Sequence, residues 1–362
     1  MKTTINITLL LLLSLTAAAQ EIKEKKVIFE IYYTTELQSN LSNNKHNWVN
    51  LIEPHVGYKP WKNGSFDIET QTIYKTYKER IADDLQTFSN IDEDIMALNI
   101  SFGGYTHAFD KILIFGGLRN VNFDYFTQEY TSVFTNSSCG IYPTISANYP
   151  LPNYPLSAMC IHGEVKFTDA LKLKTSFYNG VSRRLFSDEK YSIFAINPNR
   201  DGIFNMTELG YSNYKKYAYY GLGIATHTPY TNYANEAESI KESFGYSLWS
   251  SVEQSFYCSK EKEIGLLVQA SLAPENHMLC SQYYGLGTMW KGFLPAKKPT
   301  NYIGIFANYA KFGETEEKFV EITCRYDILD DLSIQPVFDY ILTCNKTNCI
   351  GMLRVNYVFR KY

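Results

Sequence analysis

The chain of 362 residues has no apolar run beyond residue 15 that could cross a bilayer as a helix, which takes roughly 20 apolar residues. It also lacks a dominant charge. Lys and Arg number 34 against 37 Asp and Glu, a formal net charge of -3, which excludes nucleic-acid binding by bulk charge. No G-x-S-x-G, H-E-x-x-H or G-x-x-x-x-G-K-[ST] is present, so the common hydrolase, metalloprotease and phosphate-loop signatures are missing. Gly221-Leu222-Gly223 and Gly285-Leu286-Gly287 do not continue into a phosphate-binding fingerprint, and glycines of this kind mark bends or close packing in strands. The six histidines show no ligand spacing, and none of the seven cysteines forms a C-x-x-C pair. No cofactor or metal is expected, and no enzyme activity. A pair of carboxylates acting as in a glycosidase stays open, because pairing across a sheet is not readable from sequence.

What is present begins with Met1-Lys2, an apolar run from Ile5 to Leu15 and Ala17-Ala18-Ala19-Gln20. A basic start, a short apolar core and a small-residue site read as a signal peptide, residues 1–19, cut after Ala19. The chain is then expected outside the cytoplasm, with 20–362 as one domain. No Cys follows the cut to carry a lipid anchor. Aromatic content is 15 %, with Tyr 30 and Phe 22, at a mean hydropathy of only -0.24. Alternating strands with aromatic girdles produce that combination, and a soluble carbohydrate-binding β protein could share it. The odd number of cysteines leaves at least one free or intermolecular. Cys344 and Cys349 flank a polar turn that a disulfide could close, which spacing alone does not decide.

The dominant pattern has period two. From Lys318 to Ile328, Val320, Ile322, Cys324, Tyr326 and Ile328 share one face, opposite Phe319, Glu321, Thr323, Arg325 and Asp327. Leu332–Tyr340 and Gly351–Phe359 alternate in the same way and complete an antiparallel meander. Thirteen similar segments lie upstream, among them Val27–Leu37, Lys111–Phe126 and Gln282–Gly292. The total of about sixteen strands, at about 21 residues per strand and connection, suits an all-β transmembrane antiparallel barrel of porin size with an aqueous lumen. A soluble sandwich also alternates. The uninterrupted strand run and the aromatic-rich strand at the chain's end favour the barrel. Two stretches break the meander. Residues 76–94 read as a short amphipathic helix or a polar connector. Residues 127–158, rich in Pro and aromatics, read either as a loop folded into the lumen, narrowing it, or as a packed external loop.

With no catalytic signature, the lumen becomes the candidate site. The tentative pore-lining residues are Arg119, Glu208, Glu253, Glu321, Arg325, Asp327, Gln335, Asp339 and Arg354, with Arg325 grouped with Glu321 and Asp327, and Arg354 beside Asp339. An ion-selective pore would carry one sign of charge. The mixture here favours neutral polar solutes, and aromatic faces stack on sugar C–H groups.

Four stretches then carry a resemblance: Gly116-Gly117-Leu118-Arg119 through Cys139-Gly140 to Tyr154-Pro155; Asp201-Gly202-Ile203-Phe204-Asn205 through Gly210-Tyr211; Gly285-Leu286-Gly287 through Gly292 and Pro295; and Leu332-Ser333-Ile334-Gln335-Pro336 through Ile341, followed by Gly351-Met352-Leu353-Arg354. From about Ile95 to its end the chain resembles the carbohydrate-selective porins of the OprB type. The resemblance implies a sixteen-stranded barrel in the outer membrane of a Gram-negative bacterium, passing sugars by passive diffusion past an internal constriction of charged residues. The chain departs in having Cys344 to Cys349 where a Pro-Gly-rich turn is usual, and Lys297-Lys298 followed by Asn301 where a basic residue and an Asp are common. The partners expected are small polar solutes and outer-membrane lipids, with homo-oligomers left open. The alternatives are a weakly selective general porin, a barrel-embedded hydrolase or an adhesin.

Overall fold

The computed structural model describes residues 27–186, 191–213, 217–228, 244–274, 278–295, 300–344 and 346–361. The segment read as a signal peptide, and Lys297-Lys298, lie outside them. Sixteen strands follow the period-two segments: β1 (Val27–Asn40), β2 (Lys45–Trp61), β3 (Gly64–Lys75), β4 (Met96–Ala108), β5 (Ile112–Arg119), β6 (Ala158–Lys166), β7 (Leu171–Asn179), β8 (Ile203–Asn213), β9 (Ala218–His227), β10 (Gly245–Cys258), β11 (Glu263–Leu272), β12 (Cys280–Lys291), β13 (Tyr302–Phe312), β14 (Thr315–Asp327), β15 (Leu332–Thr343) and β16 (Lys346–Lys361). Each pairs antiparallel with its sequence neighbours, and β1 closes on β16 with Glu36 opposite Arg354 and Thr34 opposite Asn356. Closure leaves no edge strand, so every strand's backbone donors and acceptors have a partner strand inside the bilayer.

The alternation sorts side chains between lipid and lumen. Ile52, Ile68, Leu222, Leu286, Ile305 and Ile322 point outward and are exposed. Aromatics flank this apolar band towards the strand ends. Tyr211 stacks near Tyr220 and Trp61 near Phe66 at one end, and Tyr284 near Tyr309 at the other. Two aromatic girdles around an apolar belt are what an outer-membrane barrel presents to lipid. Both described ends of the barrel, Val27 and Lys361, lie at the end of the short turns, the periplasmic end in such barrels. The long connections 76–95, 120–157 and 180–202 all leave the opposite end.

Several boundaries differ from the sequence reading. β5 stops at Arg119, not Phe126, because Asn120 accepts the Asn122 amide and turns the chain into a single 3-10 turn, Val121–Phe123. β16 begins at Lys346, well before Gly351. Residues 76–94 form an irregular polar connector without a helix, although Ile81 and Phe88 are buried while Tyr77 and Leu85 are not. The disulfide does not form: all seven cysteines are free thiols. The Cys344 Sγ faces the Glu316 carbonyl on the β14 side, whereas Cys349 sits on the β1 side, where its amide bonds Ser42. The β15–β16 hairpin separates them.

Leu222 lies mid-strand on the lipid face. Leu222→Arg is expected to destabilise the inserted barrel by about 2–4 kcal/mol, read from urea unfolding in lipid vesicles, whereas Leu222→Ile is expected to be near neutral.

Candidate functional site

A sixteen-stranded barrel is too wide for its wall side chains to fill. Two connections fill much of this one. Residues 120–157 turn inward and bury Tyr125, Tyr130, Phe134, Tyr142 and Tyr149 against the lumen wall. Tyr142 stacks on Tyr283 at 4.9 Å, Phe134 lies 5.0 Å from Phe306, and Phe126 5.5 Å from Trp249. The wall makes room with inward-facing glycines. A Cβ at Gly265 would fall 2.2 Å from the Tyr130 ring, and one at Gly304 2.8 Å from Val133. The G-x-G pair at 221 and 223 has the same inward aspect, with Gly223 lying under Trp249.

The loop backbone must still satisfy its amides away from water. Three glutamates do this. Glu253 accepts the Tyr130 amide at 2.8 Å, the Thr131 amide at 2.7 Å and the Thr131 hydroxyl at 2.8 Å. Glu321 accepts the Thr135 amide at 2.9 Å and the Asn136 amide at 3.0 Å. Glu317 does the same for Leu85 and Gln86 of the 76–95 connection, at 2.8 and 3.0 Å. The two connections also bond each other: the Asn90 amide donates to the Thr135 carbonyl and the Ser137 amide to the Thr87 carbonyl.

These contacts place the residues singled out from sequence. Glu253 and Glu321 hold the loop. Gln335 donates to the Val133 carbonyl at 3.0 Å and does the same. Glu208 is ion-paired with Lys174 at 2.7 Å and accepts the Tyr219 hydroxyl. Arg119 forks onto Asp124 and lies over the Phe102 and Phe115 rings. Arg325 pairs with Asp327 at 2.9 Å, but not with Glu321, whose oxygens are taken by the loop. Arg354 pairs with Glu36 at 2.7 Å and donates to Asn90, while the buried Asp339 has no donor on either oxygen. The sequence grouping of Arg354 with Asp339 is thereby corrected: Glu36 is the cross-strand partner of Arg354.

A cavity of about 670 Å³ remains, between the two connections on one side and β1–β3 on the other. Its wall carries Tyr32, Glu53, Glu69, Gln71 and Arg354, faced by Asn122, Phe123 and Tyr154 of the loop. Of the nine residues singled out, Arg354 alone lines it. Glu53, Glu69 and Gln71 were missed because they precede Ile95, where the family resemblance begins.

Among the described residues, Asp124, His162 and Glu164 converge closely enough to hold a cation. The His162 Nε2 lies 3.5 Å from Asp124 and 3.6 Å from Glu164. Arg119 already neutralises Asp124, and Lys172 pairs with Glu164 at 3.0 Å, so the group reads as an ion-paired tie between loop and wall.

The model of the carbohydrate-selective porin, OprB family, matches residues 83–359. The chain belongs to that family. Its fold matches the high-pH structure of Pseudomonas putida OprB with a TM-score of 0.79 at 13 % identity, covering 95 % of this chain and 97 % of that one. The low-pH structure of the same protein gives 0.61 at 11 %, covering 95 % and 96 %. An anion-selective porin from Comamonas acidovorans gives 0.57 at 8 %, covering 92 % and 98 %. No curated protein matches the sequence. The match begins inside the 76–95 connection and so includes most of that connection, all of 120–157 and the three glutamates that hold them, but not β1–β3.

Two outcomes follow for the loops. Glu253→Ala strips the acceptors from two buried amides, at about 1–3 kcal/mol for each group left unpaired. It is expected to raise protease cleavage within 120–157 and to produce larger, noisier single-channel steps. Asp84, in the 76–95 connection, has one enclosed oxygen without a donor, and burial raises its pKa to about 6. The folded connection therefore holds a proton that the unfolded chain releases near pH 4. This contribution favours the folded form at low pH and is lost as pH rises through 6. Amide-exchange protection of 76–95 should be higher at pH 5 than at pH 7, and Asp84→Asn should remove the difference.

Proposed function

We propose that the protein is exported to the outer membrane and lets monosaccharides and similar small polar solutes diffuse through the cavity beside β1–β3. The observation that carries this reading is the shape of the opening. Two anchored connections narrow a sixteen-stranded lumen and leave, among the described residues, a cavity of about 670 Å³ walled by a polar strand face and by aromatic rings. Amide and carboxylate groups such as Gln71, Glu53 and Asn122 offer hydrogen bonds in place of those a sugar loses from water. Tyr32, Phe123 and Tyr154 offer faces for its C–H groups. The family's carbohydrate selectivity agrees with this division of the wall. Passive diffusion needs no catalytic residue, and Glu253, Glu317 and Glu321 are engaged in holding loops, which speaks against their serving as the acid pair of a barrel-embedded hydrolase.

Liposome swelling tests this directly. Glucose is expected to enter faster than a disaccharide, and single-channel current is expected to fall reversibly as glucose is added. A protein that inserts but passes neither ions nor sugars would overturn the reading. Equal entry of sugars and of unrelated solutes of the same size, without current block, would favour the general porin.

A further inference from the structure

The lumen as a whole carries both signs of charge, but the lining of the cavity is rich in acids. Its charged lining is Glu53, Glu69, Glu93 and Arg354. Arg354 is neutralised by Glu36, and Glu93 faces Arg80 at 3.4 Å. Glu53 and Glu69 have no salt-bridge partner among the described residues. The Glu53 Oε1 accepts from Gln71 at 2.8 Å and the Glu69 Oε1 from Ser101 at 2.8 Å, both neutral donors. His55, opposite Glu69 in register, is turned to Asp67 at 3.3 Å.

The two carboxylates belong to a longer column. On the inward faces of β1–β3, Glu53 and Glu69 continue towards the periplasmic end into Asp67 and Glu30. The bases facing these four acids are His55, Lys59, which acts on Asp67, and Arg360, the last 3.3 Å from Glu30. The opposite wall, from the 120–157 connection, is neutral: Asn120, Asn122, Phe123, Asn153 and Tyr154 line it. A solute in the cavity therefore has carboxylates on one side and no compensating cation on the other. Low-dielectric walls on both sides focus that field.

We infer that Glu53 and Glu69 make the cavity a charge filter that admits neutral and positively charged sugars and retards anionic ones, such as sugar acids and sugar phosphates. This rests on the cavity being the route of diffusion. One carboxylate about 6 Å from a unit charge in water-like surroundings changes its local concentration about threefold. One such charge is enough to sort solutes that differ only in charge.

The test uses the full-length purified protein. In planar bilayers under a KCl gradient, the zero-current potential of the wild type is expected to report K⁺ passing at least about threefold more readily than Cl⁻. In liposome swelling, glucose and glucosamine are expected to outpace gluconate by a similar factor. Glu53→Gln/Glu69→Gln is expected to bring both ratios close to one; the ratio is read, not the absolute conductance. Insertion of the variant is checked by its heat-dependent gel shift, and Glu69→Gln alone, which leaves the Gln71–Glu53 bond in place, is expected to move both ratios part of the way. A wild type that favours Cl⁻ or neither ion, or variants that keep the wild-type ratios, would overturn the inference while leaving the channel standing. Absence of any conductance in the wild type would overturn the channel and the filter together.

Discussion

A barrel of sixteen strands encloses more space than its own side chains can occupy, and the protein resolves this by drawing its own backbone inside. Everything about the lumen depends on how that backbone is satisfied. Amides taken from water need acceptors, and a glutamate carboxyl reaching in from a strand can accept from two adjacent amides at once. Glu253, Glu317 and Glu321 each grip adjacent amides of an inserted connection, the first from β10 and the other two from β14. The aromatic rings of 120–157 then fill the space, against glycines that leave their own wall positions empty. Carboxylate and ring do different work. The first fixes register, and the second supplies buried apolar area.

This division explains which parts of the molecule were legible in the sequence. The strands were, because period two is a local signal and a half-lipid, half-lumen wall enforces it on every strand. The Pro- and aromatic-rich stretch after the fifth strand stood out as a break in that signal, and its aromatic content marked it as packed. Its direction was not legible. A loop buried inside and one packed outside have the same composition, and only Gly265, Gly304 and Glu253, each more than a hundred residues away, show which is present. The disulfide expectation failed for a related reason. Six positions of chain span Cys344 to Cys349, but the hairpin register sets Cys349 opposite Tyr340, four residues along the partner strand from Cys344 and beyond disulfide reach.

The candidate site was legible as a list of inward charges and opaque as a set of roles. Glu321, Arg325, Asp327 and Asp339 all fall on inward faces, as alternation requires, yet sharing a face does not say which charge meets which. Arg354 illustrates it. Its neighbour in the β15–β16 hairpin is Gln335, and its ion partner, Glu36, comes from the first strand, across the closure of the barrel. That pairing exists only once the last strand has found the first, so no local reading of the sequence could have supplied it.

The same accounting changes the meaning of the near-zero net charge. Averaged over the whole chain, acids and bases nearly balance, and a lumen balanced in the same way would treat ions of either sign alike. The balance is not uniform. Lys174 is spent on Glu208, Arg119 on Asp124 and Arg354 on Glu36, all in contacts that stiffen the wall or hold a loop. Bases are consumed where the chain is packed, and Glu53 and Glu69, beside the described cavity, are left with neutral donors alone. A solute does not sense the formal charge of the chain; it senses what remains after structure has taken its share. Here that remainder is Glu53 and Glu69, held by neutral donors against a neutral loop, and it gives the polar face of the opening a sign that composition concealed.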